Sequence, residues 1–407
     1  MNLPVELLDS IIRIAQLEEE SISVLFRCSL VSRLWCKVTV RHLWKNAVDY
    51  AADLTWTSAT LSPVSTLYCL LPQDVKGRIQ AESSHPDTLK NVPMFDYASF
   101  IHVLRTDSLR RAINRSFPAA HPDIAYNITS LILGKNGVVE VCVLGDFRLM
   151  ANTFLIRQID AIRRLTIDCG GETITWLDAL TVHRVVVNEL CIKRFQHSHD
   201  GIAYFVENQT ELRHLTVENG DIDPIWWDGE GHRLLQAIIS IAPRLTYLCI
   251  ETPWVLELNV LPVCSHLRGL SIGLSDERMT PNIDPFNLEY LEELSVFVTM
   301  HDMQICRALI EWSPNLKHLS MWAADERTNC TDVLLAVSQF ASRLRTLRIW
   351  MEIPPKEVLQ KLFQNCCCLR TIEILRDVNE EFVLQIFMTK TLTCRRRDNY
   401  CEISLIS

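Results

Sequence analysis

The sequence predicts an α/β chain in which short parallel strands line one face of a repeating array and helices cover the other, behind an all-helical N-terminal part. Three observations point there. A unit of the form Leu-x-x-Leu-x-Ile recurs from residue 126 to the end. Apolar stripes at helical spacing separate its copies. Ahead of them the apolar residues keep helical rather than alternating spacing, broken by proline.

The first 47 residues predict three short helices. Leu3-Pro4 sets a start, because proline fixes φ and lacks the N–H that a first helical turn leaves unpaired. Leu7, Leu8, Ile11, Ile12 and Ala15 then form one stripe. Glu18-Glu19-Glu20 reads as a solvated break. Leu25, Cys28, Leu30, Val31, Leu34, Trp35 and Val38 form a second stripe, and Leu43-Trp44 closes the set. So short a segment cannot bury apolar residues on this many faces, which predicts a partner on some of that surface.

These residues resemble the F-box. Its pattern of Leu-Pro, Leu-Leu, an Ile, Leu-Val-Ser, a Trp and a terminal Leu-Trp is matched by Leu3, Pro4, Leu7, Leu8, Ile11, Leu25, Cys28, Leu30, Val31, Ser32, Trp35, Leu43 and Trp44. The resemblance implies a trihelical module that docks on a Skp-type adaptor, which hangs from a cullin. Adaptor contacts would fall to Leu3, Pro4, Leu7, Leu8, Ile11, Leu30, Val31, Trp35 and Trp44. The sequence opens almost on the motif, so no upstream regulatory segment is expected.

Residues 48–125 predict a helical connector. Pro63, Pro72, Pro86, Pro93, Pro118 and Pro122 limit it to short helices and turns. Pro72 to Ile79 opens one helix, and Ser99 to Phe117 carries Phe100, Val103, Leu104, Leu109 and Ile113 at roughly helical spacing. The stretch from Pro93 to Leu104 resembles the segment that follows the F-box in many fungal F-box proteins. Leu54 to Gln73 lacks charge but is rich in Ser and Thr and holds two prolines, which predicts helix and turn rather than a membrane span.

Residues 126–407 predict the repeat array. Copies read Ile128-Leu131-Leu133, Ile162-Leu165-Ile167, Val187-Leu190-Ile192, Leu212-Leu215-Val217 and Leu245-Leu248-Ile250. They continue as Leu267-Leu270-Ile272, Leu291-Leu294-Val296, Leu316-Leu319-Met321, Leu344-Leu347-Ile349, Leu369-Ile372-Ile374 and a weaker Tyr400-Ile403-Leu405. From Leu131 to Ile403 the middle residues advance in steps averaging roughly 27 residues. Helical stripes intervene at Leu234 to Ile241, Ile305 to Ile310, Val333 to Phe340 and Val358 to Phe363. This unit resembles the leucine-rich repeat in its longer, helix-bearing form, although the asparagine that commonly follows each strand is missing. The resemblance implies a solenoid of about ten to eleven irregular repeats, with strands on a concave face and helices on a convex one.

Composition narrows the function. A net charge of −9 opposes binding to nucleic acid through phosphate contacts. No signal peptide precedes Glu6, Asp9 and Arg13, and the 15 cysteines form no spacing framework. Reduced thiols in the cytoplasm or nucleus are expected, and the sequons at Asn114, Asn127, Asn208 and Asn329 carry no meaning there.

Along the array, the position after each motif reads Asp168, Lys193, Glu218, Glu251, Gly273, Phe297, Trp322, Trp350 and Leu375. Phe297, Trp322 and Trp350 should stand about one strand spacing, ~5 Å, apart. They suggest a site for a target protein, with Tyr247, Glu293, His318 and Arg348 beside them. The alternative is that the rings fill gaps under the loops. His197, His199 and Asp200 lack a second ligand pair for a metal. Cys366, Cys367 and Cys368 read as buried small hydrophobes, Arg395-Arg396-Arg397 as a solvated turn, and Trp226-Trp227 as part of a loop insertion. No phosphate loop, nucleophile elbow or catalytic His–carboxylate pair occurs, so no enzyme activity, cofactor or metal is expected. By resemblance the chain would be the substrate-recognition subunit of a Skp–cullin–F-box ubiquitin ligase, with no nucleic-acid or membrane partner. A non-degradative scaffold and a small-ligand-binding repeat protein are the competing readings.

Overall fold

A computed structural model describes residues 3–16, 21–48, 63–82, 93–117, 122–135, 137–143, 162–169, 174–195, 200–219, 231–251, 258–273, 288–298, 303–323, 329–350, 355–374, 392–397 and 400–405. The chain divides into two units, Met1–Leu190 and Cys191–Ser407.

The first unit opens with three helices, α1 (Val5–Ala15), α2 (Ser21–Ser29) and α3 (Arg33–Trp44). The Pro4 carbonyl accepts the Leu8 amide at 3.1 Å, and Ser32 Oγ accepts the Trp35 amide at 3.3 Å to cap α3. Leu8, Ile12, Leu25 and Val38 form a small core, with Leu34, Trp35 and Leu43 packed on it. Outside that core, His42 Nε2 lies 2.7 Å from Asp9 Oδ1, and Gln16 Nε2 donates to the His42 carbonyl at 3.3 Å. These bonds fasten α1 to α3.

α4 (Pro63–Cys69) and α5 (Gln73–Glu82) follow, then a 3₁₀ turn at Tyr97–Phe100. The Tyr97 ring packs on Trp44 with centroids 4.3 Å apart, and the Arg41 guanidinium sits 5.9 Å from the Phe100 ring centroid. The Lys45 carbonyl, just past α3, accepts the amides of His102 and Val103 at 3.2 and 3.4 Å. The N-terminal helices are thereby joined to the first strand.

That strand, β1 (Val103–Arg105), leads into α6 (Thr106–Ser116), α7 (Pro122–Leu133), β2 (Glu140–Val143), β3 (Arg164–Asp168), α8 (Ile174–Val182) and β4 (Glu189–Phe195), within which the two units meet in sequence. β1, β2 and β3 pair in parallel, with Leu104 opposite Val141 and Val141 opposite Leu165. Two expectations are corrected here. The helix expected over Ser99–Phe117 is a strand followed by a helix, so parallel pairing begins at Val103, ahead of residue 126. Ile128-Leu131-Leu133 is the end of α7, not a strand. Ile124, Ile128 and Ile132 are buried four residues apart, a stripe into which part of the strand motif happens to fit.

The second unit continues with α9 (Asp200–Glu207), β5 (His214–Asn219), α10 (Gly231–Ile241), β6 (Tyr247–Ile250), β7 (Gly269–Gly273) and β8 (Glu293–Val298). Then come α11 (Met303–Glu311), β9 (His318–Ala323), α12 (Thr331–Phe340), β10 (Thr346–Trp350), α13 (Lys356–Asn365) and β11 (Thr371–Ile374). β5 to β11 pair in parallel in sequence order, and the middle residues of the motif share one register: Leu215, Leu248, Leu270, Leu294, Leu319, Leu347 and Ile372. All seven are buried, and so are most residues of the helical stripes.

One backbone device recurs at every step. A carbonyl two residues before each middle position accepts two successive amides of the next repeat, running Arg213, Thr246, Arg268, Glu292, Lys317, Arg345. β12 (Leu392–Arg397) and β13 (Tyr400–Leu405) close the unit as an antiparallel pair, with β13 antiparallel to β11. The last copy of the motif is therefore a hairpin strand rather than a further repeat, since too few residues separate it from β12 for a crossover helix. Arg395-Arg396-Arg397 belongs to β12 and is not a turn.

Among the described residues, no helix is long and apolar enough to cross a membrane. Residues 54–62 of the uncharged stretch lie outside the described residues, and residues 63–69 are helical.

Candidate binding surfaces

Two surfaces collect the residues singled out from the sequence, one in each unit. In the first unit the chemistry is apolar. α1 carries two stripes: Leu8 and Ile12 turn into the core, while Leu7, Ile11 and Ile14 are exposed with Leu3 and Pro4 at the helix start. After α2, the turn Leu30-Val31 projects two aliphatic side chains that are 70% and 63% exposed. Its amides are hydrogen-bonded back onto α2, Leu30 to Arg27 and Val31 to Cys28, so the turn is held and not frayed. Six of the nine expected contact residues are thus exposed: Leu3, Pro4, Leu7, Ile11, Leu30 and Val31.

The other three serve the unit's interior. Leu8 is fully buried, Trp35 packs on the same core, and the Trp44 ring packs at a tilt against Tyr97. Val5, Ile14 and Phe26 join the exposed apolar set and were missed in the sequence. For Ile14 the signal was present in Leu7, Ile11 and Ile14, which repeat at i, i+4, i+7 as a second stripe beside the buried one.

In the second unit, alternation along the strands turns every second side chain away from the core. Three rows result. Tyr247, Gly269, Glu293 and His318 stand in register in one. Cys249, Ser271, Ser295, Ser320, Arg348 and Glu373 occupy the next. Gly273, Phe297, Trp322 and Trp350 form the third, two residues further along each strand or about 7 Å away. The Trp322 and Trp350 rings stack with centroids 4.5 Å apart and planes within 6°. Phe297 is 44% exposed, and both tryptophans are half-buried.

The seven residues expected at a target site therefore fall on one open face, Arg348 lying in the row between the other two sets. Arg348 is engaged, however, with its Nε 2.9 Å from the Glu373 carboxylate. Tyr247 is also partly engaged. Its ring lies over Gly269, where an added Cβ would come within 2.4 Å of it, and beside His214. Burial raises the Tyr247 pKa, with Cys249, Glu293 and Glu251 adding to the effect.

Charge along the third row is uneven. Lys193 pairs with Glu218 at 2.8 Å. Among the described residues Glu251 has no such cation, and burial together with the Glu218 carboxylate raises its pKa despite Lys193. Asp168, expected to head the same column in the first unit, is buried instead.

The cysteines add little reactive chemistry. Burial pushes the Cys191, Cys264 and Cys306 thiols up to about 12, and Cys249 and Cys366 up to about 11, so all five stay protonated and weakly nucleophilic. Only Cys366 of the cysteine triplet is buried. Cys367 and Cys368 lie in the turn before β11 and face solvent, against the expectation of three buried thiols. His197, His199, Trp226, Trp227 and Leu375 lie outside the described residues. Among the described residues no group of three or more His, Cys, Asp or Glu could hold a metal ion. No protein-family model matches the chain, and a comparison with curated proteins finds no match.

Proposed function

We propose that the chain is a non-catalytic substrate-recognition subunit of a Skp–cullin–F-box ubiquitin ligase, working in the cytoplasm or nucleus. The observation that carries this reading is the division of labour in the N-terminal helices. Leu8, Ile12, Leu25 and Val38 already supply a core, yet Leu3, Leu7, Ile11, Leu30 and Val31 of the F-box-like motif are exposed on α1, at its start and on the fixed turn after α2. Aliphatic side chains held outward at this density serve a protein partner.

The open strand face of the second unit would hold the target, with Phe297 and the Trp322–Trp350 stack as anchors. No residue of this chain then makes or breaks a bond. Its contribution is proximity, since it keeps a target lysine near a conjugating enzyme carried by the rest of the complex.

The test is co-purification of a Skp-type adaptor with the full chain and with a Leu30→Asp/Val31→Asp variant. Both positions are exposed, so the variant should fold normally. Retention by the wild type and release by the variant is the expected result. A wild-type chain that retains no adaptor overturns the reading. Target half-life separates a ligase subunit from a non-degradative scaffold: only for the ligase does the same variant prolong the life of the bound protein.

A further inference from the structure

The open strand face of the second unit carries a feature that an apolar anchor site alone does not explain. In the third row, Gly273 pairs with Phe297 on one neighbouring strand and on its other side lies beside Glu251, the first residue after β6. Strand spacing puts the Glu251 and Phe297 backbones about 10 Å apart. Glycine is required at this point, because a Cβ on Gly273 would come within 2.7 Å of the Glu251 carbonyl oxygen. No side chain therefore stands between Glu251 and the exposed Phe297 ring, and the Glu251 carbonyl edges the space over Gly273.

The charges of the face favour one kind of occupant. Two of its cations, Lys193 and Arg348, are taken up by Glu218 and Glu373. Among the described residues neither Glu251 nor Glu293 has an ion-pair partner, and both are exposed. Burial and then the Glu218 carboxylate raise the Glu251 pKa, while Lys193 lowers it. Beyond Phe297 the row continues into the Trp322–Trp350 stack, an apolar surface with π-faces.

We propose that this face binds an extended segment of a partner protein bearing an arginine or lysine next to an apolar residue. The cation seats between the Glu251 side chain and the Phe297 ring, and the apolar neighbour lies on Trp322 and Trp350. Both groups suit a cation: the carboxylate by charge, the ring by its quadrupole. An acidic or phosphorylated segment would meet Glu251 and Glu293 with like charge. The inference rests on the reading of this chain as a target receptor and names the class of target.

The experiment pans a random library of immobilised ten-residue peptides against the full chain, and against Glu251→Gln and Phe297→Ala variants. The wild type should enrich peptides with Arg or Lys beside an apolar residue. Each variant should lower that enrichment about threefold, the size expected for one exposed ion pair or cation–π contact. Enrichment without basic residues, no enrichment, or equal enrichment by all three proteins overturns the inference. Adaptor co-purification from the same preparations keeps the two readings apart. A chain that selects basic peptides without holding an adaptor sinks the ligase reading alone, whereas one that holds the adaptor without selecting basic peptides sinks only this one.

Discussion

The Asp9 carboxylate lies 2.7 Å from His42 Nε2 and 2.9 Å from Arg13 Nε, and the His42 bond is the main cause of its lowered pKa. A carboxyl depressed in the folded state stabilises that state above its unfolded value of about 4 and loses the effect as pH falls through the folded value. Asp9→Asn should therefore unfold at a lower temperature than the wild type at pH 7, and the difference should shrink below about pH 4. A difference that is the same at pH 7 and pH 3 would contradict the role given to this carboxylate. In the second unit, two neighbouring positions separate surface from core. Phe297→Ala should change stability by less than about 0.5 kcal/mol, because the ring is exposed. Leu319→Ala, at a fully buried strand position, should cost about 2–5 kcal/mol in denaturant unfolding.

Between elements, the Trp44–Tyr97 ring pair and the Lys45 carbonyl tie α3 to the start of β1. The doubled acceptor at Lys45 has the form that recurs at later strands, so the helical segment ends by supplying the first rung of the ladder. A double-mutant cycle of Trp44→Ala and Tyr97→Ala should show a coupling of about 1 kcal/mol, and additive effects would argue against a joined pair. The register of β5 to β11 was legible in the sequence because one buried leucine or isoleucine marks the same point of every strand. β1 and β2 were not. Val103-Leu104-Arg105 sits inside a stretch with helical spacing, and Val141 stands where the motif would have leucine. The closing hairpin was misread for a related reason: Tyr400-Ile403-Leu405 carries strand periodicity, which does not encode strand direction. On the candidate face, alternation revealed the aromatic row, whereas the ion pairs that occupy Arg348 and Lys193 depend on neighbours brought in by register.

For the whole molecule, the central claim is that a chain without catalytic chemistry joins an adaptor through one unit and a target through the other. The two surfaces differ in the way those tasks require: largely aliphatic on α1 and the turn after α2, aromatic on the open strand face with carboxylates that have no ion-pair partner among the described residues. Loss of one should leave the other intact, since Leu30 and Val31 belong to one unit and Glu251 and Phe297 to the other. The most direct measurement is a calorimetric titration of a Skp-type adaptor into the full chain at several temperatures. Saturable one-to-one binding with a negative heat-capacity change, the mark of apolar burial, is predicted for the wild type, with loss of binding in the Leu30→Asp/Val31→Asp variant at unchanged melting temperature. No binding by the wild type, or undiminished binding by the folded variant, would contradict it.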